Sequence, residues 1–185
     1  MSSSFSWLLI SDSPTKVGTQ NFNRNMFIIK SNVSEKYEFQ TSVENAWKFF
    51  ADGNNYVELM PNLDSIQTDG RGISRWDISV NVPMIGNWKM SFAVDFLTAD
   101  DMIEWYPSNT EKQNFLRCVT QLVGKTDNLV QVRITHNLEL RRPHAKDFHL
   151  LAGMAGESLI SQEMQSEVTK MLKIFVQKAK ERLEK

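Results

Sequence analysis

The C-terminal stretch from Glu157 to about Glu184 constrains this chain more than any other feature. Ile160, Met164, Val168, Met171, Leu172, Phe175, Ala179 and Leu183 return at helical spacing and form one apolar stripe. Glu157, Glu163 and Glu167 come early, whereas Lys170, Lys173, Lys178, Lys180 and Arg182 come late, an order that suits the helix dipole. At 1.5 Å per residue such a helix is roughly 42 Å long. A striped helix of that length needs a long apolar surface to lie on.

The preceding residues supply that surface as strands. Val33, Tyr37 and Phe39 alternate with polar neighbours. Trp76, Ile78, Val80 and Val82 do the same, as do Trp88, Met90, Phe92, Val94 and Phe96, and then Val130, Val132, Ile134, His136, Leu138 and Leu140. Shorter strands are expected over Leu63–Thr68, Met102–Tyr106 and Phe115–Val123. Asp69-Gly70-Arg71-Gly72, Pro83–Asn87 and Thr126-Asp127-Asn128 are turn signals, so consecutive strands form an antiparallel meander with one wet face. After the first strand, Thr41-Ser42-Val43-Glu44 opens a short helix that Gly53 ends, and a second runs from about Asn55 to Met60 before Pro61. Pro143–Gly156 reads as a linker with two glycines. The expected class is α+β: a seven-stranded curved antiparallel sheet wrapped around a long C-terminal helix, with two short helices after strand 1.

The 185 residues fit one domain, 26–185, with residues 1–25 as a weakly ordered N-terminal extension. Phe5, Trp7, Leu8 and Leu9 of that extension could pack on the body or on a second chain. A net charge of −1 gives no general attraction to nucleic acid. One cysteine, Cys118, makes neither an internal disulfide nor a zinc cage. No apolar run reaches the ~20 residues of a membrane helix, so the expectation is a cytoplasmic protein without stable membrane insertion, and a homodimer is possible. Five Trp, nine Met and eleven Phe make bulky, adaptable apolar surface. A cavity between sheet and helix is expected, since large side chains alone would have to fill the middle.

The order of elements resembles the helix-grip fold of the START and birch-pollen-allergen superfamily (SRPBCC), and within it the bacterial polyketide cyclase/dehydrase branch. Phe39-x-x-Ser42-Val43-Glu44-x-x-Trp47-x-x-Phe50-x-Asp52 resembles the family's entry from strand 1 into the first helix. Leu59-Met60-Pro61-Asn62-Leu63-x-x-Ile66 resembles the segment after the second helix, and Ser74-Arg75-Trp76, Ile103-Glu104-Trp105 and the terminal helix match in place and order. The resemblance covers about residues 27–185. It implies a hydrophobic cavity and either a cyclase acting without cofactor or a carrier of lipid, quinone or isoprenoid. The family's cyclases keep an arginine in the cavity; Val94, with Phe92 and Phe96, stands on the apolar face of the strand where that arginine is looked for.

His136 is the sharpest chemical candidate, a lone imidazole on an apolar face. It could serve as general acid or base, or be a core histidine satisfied by a neighbour. Tyr106 could point its hydroxyl into the pocket as a second catalytic group. Arg117 and Gln121 share a face with Phe115, Val119 and Val123, while Leu116, Cys118, Thr120 and Leu122 share the other; periodicity leaves open which is inside. If Arg117 is inside, it could bind an anionic group. Met60, Trp76, Trp88, Met90, Phe92, Trp105, Met154 and Met164 are the expected lining of a substrate site. His144, Asp147 and His149 lack the spacing and the third strong ligand of a metal site, and neither a P-loop nor a dinucleotide fingerprint is present, so neither metal nor cofactor is expected. Gly153 and Gly156 could let the start of the long helix move and gate the pocket.

Overall fold

The computed structural model describes residues 26–82 and 86–185. The N-terminal extension and the tip of the 83–85 turn lie outside the described residues.

Alternation builds the sheet. β1 (Phe27–Phe39), β2 (Leu63–Thr68), β3 (Ser74–Val82), β4 (Gly86–Ala99), β5 (Met102–Pro107), β6 (Asn114–Thr126) and β7 (Leu129–Arg142) form one antiparallel sheet in the order β1-β7-β6-β5-β4-β3-β2. On β7 the pattern is regular: Val130, Val132, Ile134, His136, Leu138 and Leu140 are all buried, and their neighbours are not. The chain passes from the β1 edge to the β2 edge through α1 (Val43–Ala51) and α2 (Gly53–Leu59). Ser42 caps α1 by accepting the Asn45 amide at 3.2 Å. Gly53 does not end the first helix but begins the second. Asp52 makes the junction, closing α1 in extended conformation and accepting the Asn54 amide at 2.9 Å.

The C-terminal helix, α3, spans Ala152–Leu183 and is broken at Gly156, where φ is 79° and ψ 159°. Only glycine adopts that conformation without strain, so the regular helix begins at Glu157, as the charge order implies. The stretch expected as a plain linker carries a single 3-10 turn, Ala145–Asp147, and one helical turn before the break. From Ile160 to Ala179 the apolar stripe is buried against the sheet. The polar side of α3 also meets the sheet edge. Glu157 Oε1 accepts the Ile28 amide at 2.8 Å, Ser161 Oγ the Lys30 amide at 3.1 Å, and Glu184 Oε1 the Gln40 amide at 3.1 Å. Edge-strand donors that would otherwise need water or another strand are therefore paired inside the molecule.

At the C-terminal end of α3 the core is aromatic. Tyr56 stacks on Phe175 with centroids 4.8 Å apart, Phe50 meets Phe39 and Phe49 edge-on at 5.6 and 5.1 Å, and Trp76 packs between Tyr56 and Trp105. The close approach of β6 to α1 depends on Gly124, where an added Cβ would meet Val43 Cγ2 at 2.9 Å. Among the described residues no helix is long and apolar enough to cross a membrane.

Candidate functional site

The middle of α3 covers a small cavity of about 20 Å³, bounded by Met60, Met90, Met164, Met171, Leu172 and His136, with further aliphatic side chains from β3, β6 and β7. A space of this size holds about one water, whereas small-molecule sites run to about 300–1,000 Å³. The cavity expected between sheet and helix is thus present but nearly closed, because Trp76, Tyr56, Phe39, Phe50, Phe92 and Phe175 are fully buried and fill the adjoining core. Four of the cavity's bounding side chains are methionines, which repack at low cost. A groove of about 540 Å³ on the outside of α3, bordered by Lys30, Gln165 and Lys173, is open polar surface.

Among the described residues His136 is the cavity's one titratable side chain. It faces Cys118 across the β6–β7 ladder, and its Nε2 lies 2.8 Å from Cys118 Sγ. Burial lowers the imidazole pKa to about 4 and pushes the thiol well above its ordinary range, so both groups are neutral at physiological pH. Two proton arrangements satisfy the pair: the thiol donates to Nε2, or Nε2–H donates to sulfur. The first leaves an N–H on Nδ1, the second a lone pair. The imidazole can therefore offer either a donor or an acceptor to a ligand without becoming charged.

A bulge makes this pairing possible. Thr126 is opposite Leu129 at the turn, but the register shifts between Gly124 and Thr126, and beyond it Gly124 is opposite Val130 and Cys118 opposite His136. Without the bulge Cys118 would pair with Asn137 and the two side chains would not meet. Across the next strand, Trp105 is opposite Cys118. Tyr56 reaches over from α2. Burial raises its phenol pKa far above the usual range, the neighbouring Cys118 adds to this, and the Thr120 hydroxyl opposes it without reaching hydrogen-bond geometry.

The expected site residues separate into three groups. Met60, Met90, Met164 and His136 meet at the cavity. Trp76, Phe92 and Trp105 are buried beside it in the aromatic core. Tyr106, Arg117, Met154 and Trp88 are not in it. Tyr106 alternates with the buried Trp105 and is 37% exposed on the outer side of the sheet. The β6 face that points inward is that of Leu116, Cys118, Thr120 and Leu122. Arg117 therefore points out, where its Nε donates to Glu104 at 2.6 Å. Met154 lies in the turn before the Gly156 break and is 84% exposed. Trp88 is half-buried at the far end of the sheet against Phe148, with centroids 5.1 Å apart. His144 and His149 shape the turn before α3: the His144 amide donates to Asp147, and His149 Nδ1 accepts the Leu151 amide.

No protein-family model and no curated protein matches this chain. Solved structures do. The di-domain aromatase/cyclase StfQ from the steffimycin biosynthetic pathway matches at a TM-score of 0.59 and 10% identity, over 84% of this chain and 51% of that one. This chain thus spans about half the length of StfQ. The Zhui aromatase/cyclase from Streptomyces matches at 0.53 and 15% identity, covering 83% and 91%. A START superfamily protein from Mycobacterium smegmatis matches at 0.57 and 12% identity, covering 83% and 97%. At these identities the likeness is one of architecture: the chain has the helix-grip fold of START-superfamily proteins, a fold that aromatase/cyclases share.

Proposed function

We propose that this protein binds a hydrophobic small molecule between the sheet and α3 and promotes its cyclisation with loss of water, as a cofactor-independent, polyketide cyclase-like enzyme. The observation that carries this reading is His136, a neutral imidazole held by Cys118 at 2.8 Å on the wall of a methionine-lined apolar cavity. Entry of a ligand requires the core to open. The methionines supply side-chain freedom, and the backbone break at Gly156 supplies a hinge at the start of α3. Inside, most of the acceleration comes from holding a poly-keto chain in a reactive fold. With Nε2–H donating to Cys118, Nδ1 takes a proton from the carbon between two carbonyls. The enolate adds to a further carbonyl carbon, forming the ring bond and an alkoxide. The imidazolium returns its proton to that oxygen, giving a hydroxyl; the regenerated Nδ1 then takes the next α-proton and passes it to the hydroxyl, which departs as water as the double bond forms.

A second reading is a carrier that binds a lipid, quinone or isoprenoid unchanged. It is favoured by the same site's poverty in titratable groups: burial keeps His136 a weak base, with a pKa of about 4, and its hydrogen-bond partner among the described residues is a thiol. Solvent extraction of the purified protein followed by mass spectrometry, repeated after incubation with poly-keto and lipid panels, separates the two. A cyclised product that disappears in His136→Ala while binding persists supports the enzyme. A ligand recovered unchanged supports the carrier and ends the catalytic reading.

A further inference from the structure

The aromatic core beside the cavity contains three hydrogen-bond donors that meet no acceptor in hydrogen-bond geometry among the described residues; the Thr120 hydroxyl, the neighbour of the Tyr56 phenol, falls short of it. The Tyr56 hydroxyl and the indole N–H groups of Trp76 and Trp105 are buried and without a partner among the described residues. They belong to one cluster. The Tyr56 and Trp76 rings are 5.6 Å apart and those of Trp76 and Trp105 are 5.4 Å apart. The cluster adjoins the cavity wall on two sides. Trp105 stands opposite Cys118, the partner of His136, and Trp76 is followed on the same face of β3 by Ile78, which lines the cavity.

Buried polar groups without partners destabilise a folded protein and are uncommon, so three in one place call for a reason. The chemistry of the three is uniform. An indole N–H only donates. The Tyr56 phenol, raised by burial, keeps its proton. Among the described residues no Lys or Arg is buried, so none there would compensate an anion brought in from water. An alcohol would bring a further proton needing an acceptor. A carbonyl oxygen brings two lone pairs and no proton.

We infer that Tyr56, Trp76 and Trp105 form an oxygen-acceptor subsite that takes the carbonyl oxygen of an uncharged apolar ligand, a ketone or a quinone, next to the methionine-lined cavity. This rests on the reading that the core opens to a small molecule, and it defines which end of that molecule goes deepest. The subsite is assembled at the expense of the empty protein's stability, which gives it a signature that ordinary lining residues lack.

The test uses the full chain, two probes of one shape, α-tetralone and the hydrocarbon tetralin, and calorimetric titration. The wild type should bind α-tetralone at least tenfold more tightly than tetralin. Tyr56→Phe removes one donor and little volume. It should cut α-tetralone affinity about tenfold, leave tetralin unchanged, and leave the empty protein's Tm the same or higher. Trp105→Phe should move the affinity ratio in the same direction. Equal affinity for the two probes in the wild type would overturn the subsite while leaving the ligand-binding reading intact. So would a Tyr56→Phe protein with lower Tm and an unchanged ratio, since the hydroxyl would then be serving the fold. Binding of neither probe would overturn both readings.

Discussion

The two halves of the core are built from different materials. Around Tyr56 and Phe175 the packing is aromatic, ring against ring, with flat shapes that fit in few arrangements. Around His136 it is aliphatic and sulfur-rich: Met60, Met90, Met164 and Met171 surround the small cavity. Both halves lie under one helix and one sheet, and the cavity lies in the second. On the proposed reading the contrast has a consequence: rigid rings set the position of α3, and flexible thioethers beside them are the side chains that would repack around a ligand.

Substitutions that exchange the properties of the two halves would break this comparison. The largest effect is expected from Phe175→Ala, which removes the ring shared by Tyr56, Phe49 and Phe50 and should cost about 3–5 kcal/mol in denaturant unfolding. A loss under about 1 kcal/mol would mean the aromatic half is as adaptable as the other.

The next effect is in acid. His136 has a folded pKa of about 4 against an ordinary value of 6.5, so the folded state prefers the neutral ring. Its contribution is fully present above pH 6.5 and is lost as the pH falls through 4, because the unfolded chain binds the proton first. Between those limits unfolding free energy should drop by up to about 3 kcal/mol. His136→Leu should flatten that part of the stability profile; an unchanged slope would assign it to carboxylates instead.

A smaller, paired effect sharpens the contrast. Phe50→Leu in the aromatic half should cost about 1–3 kcal/mol, whereas Met171→Leu at the cavity should cost under about 1 kcal/mol. Thermal melts of the two variants side by side provide the check. Equal shifts would dissolve the distinction.

The fold was largely legible in the sequence, because period-2 runs and one long stripe leave few arrangements. β7 illustrates this: its inward set, from Val130 to Leu140, is the apolar set of the alternation. The site was less legible, for three physical reasons. On β6 both faces alternate, so only the packed sheet decides that Cys118 turns in and Arg117 out. The Cys118–His136 contact depends on a one-residue bulge near Gly124, and counting back from the turn without it pairs the wrong residues. The unpartnered state of Tyr56 depends on how α2 crosses the sheet, which no local pattern encodes.

The bonds from Glu157 and Ser161 to the backbone of β1 carry a consequence for self-association. While α3 is seated, the β1 edge offers those amides to no other chain. If α3 lifts, the same amides become a template for strand addition by a neighbouring molecule. The species that seeds aggregation is then a locally opened one with an otherwise native sheet. Aggregation rates should accordingly follow the opening of this helix rather than global unfolding, and a ligand that holds the helix down would also act as an anti-aggregation agent.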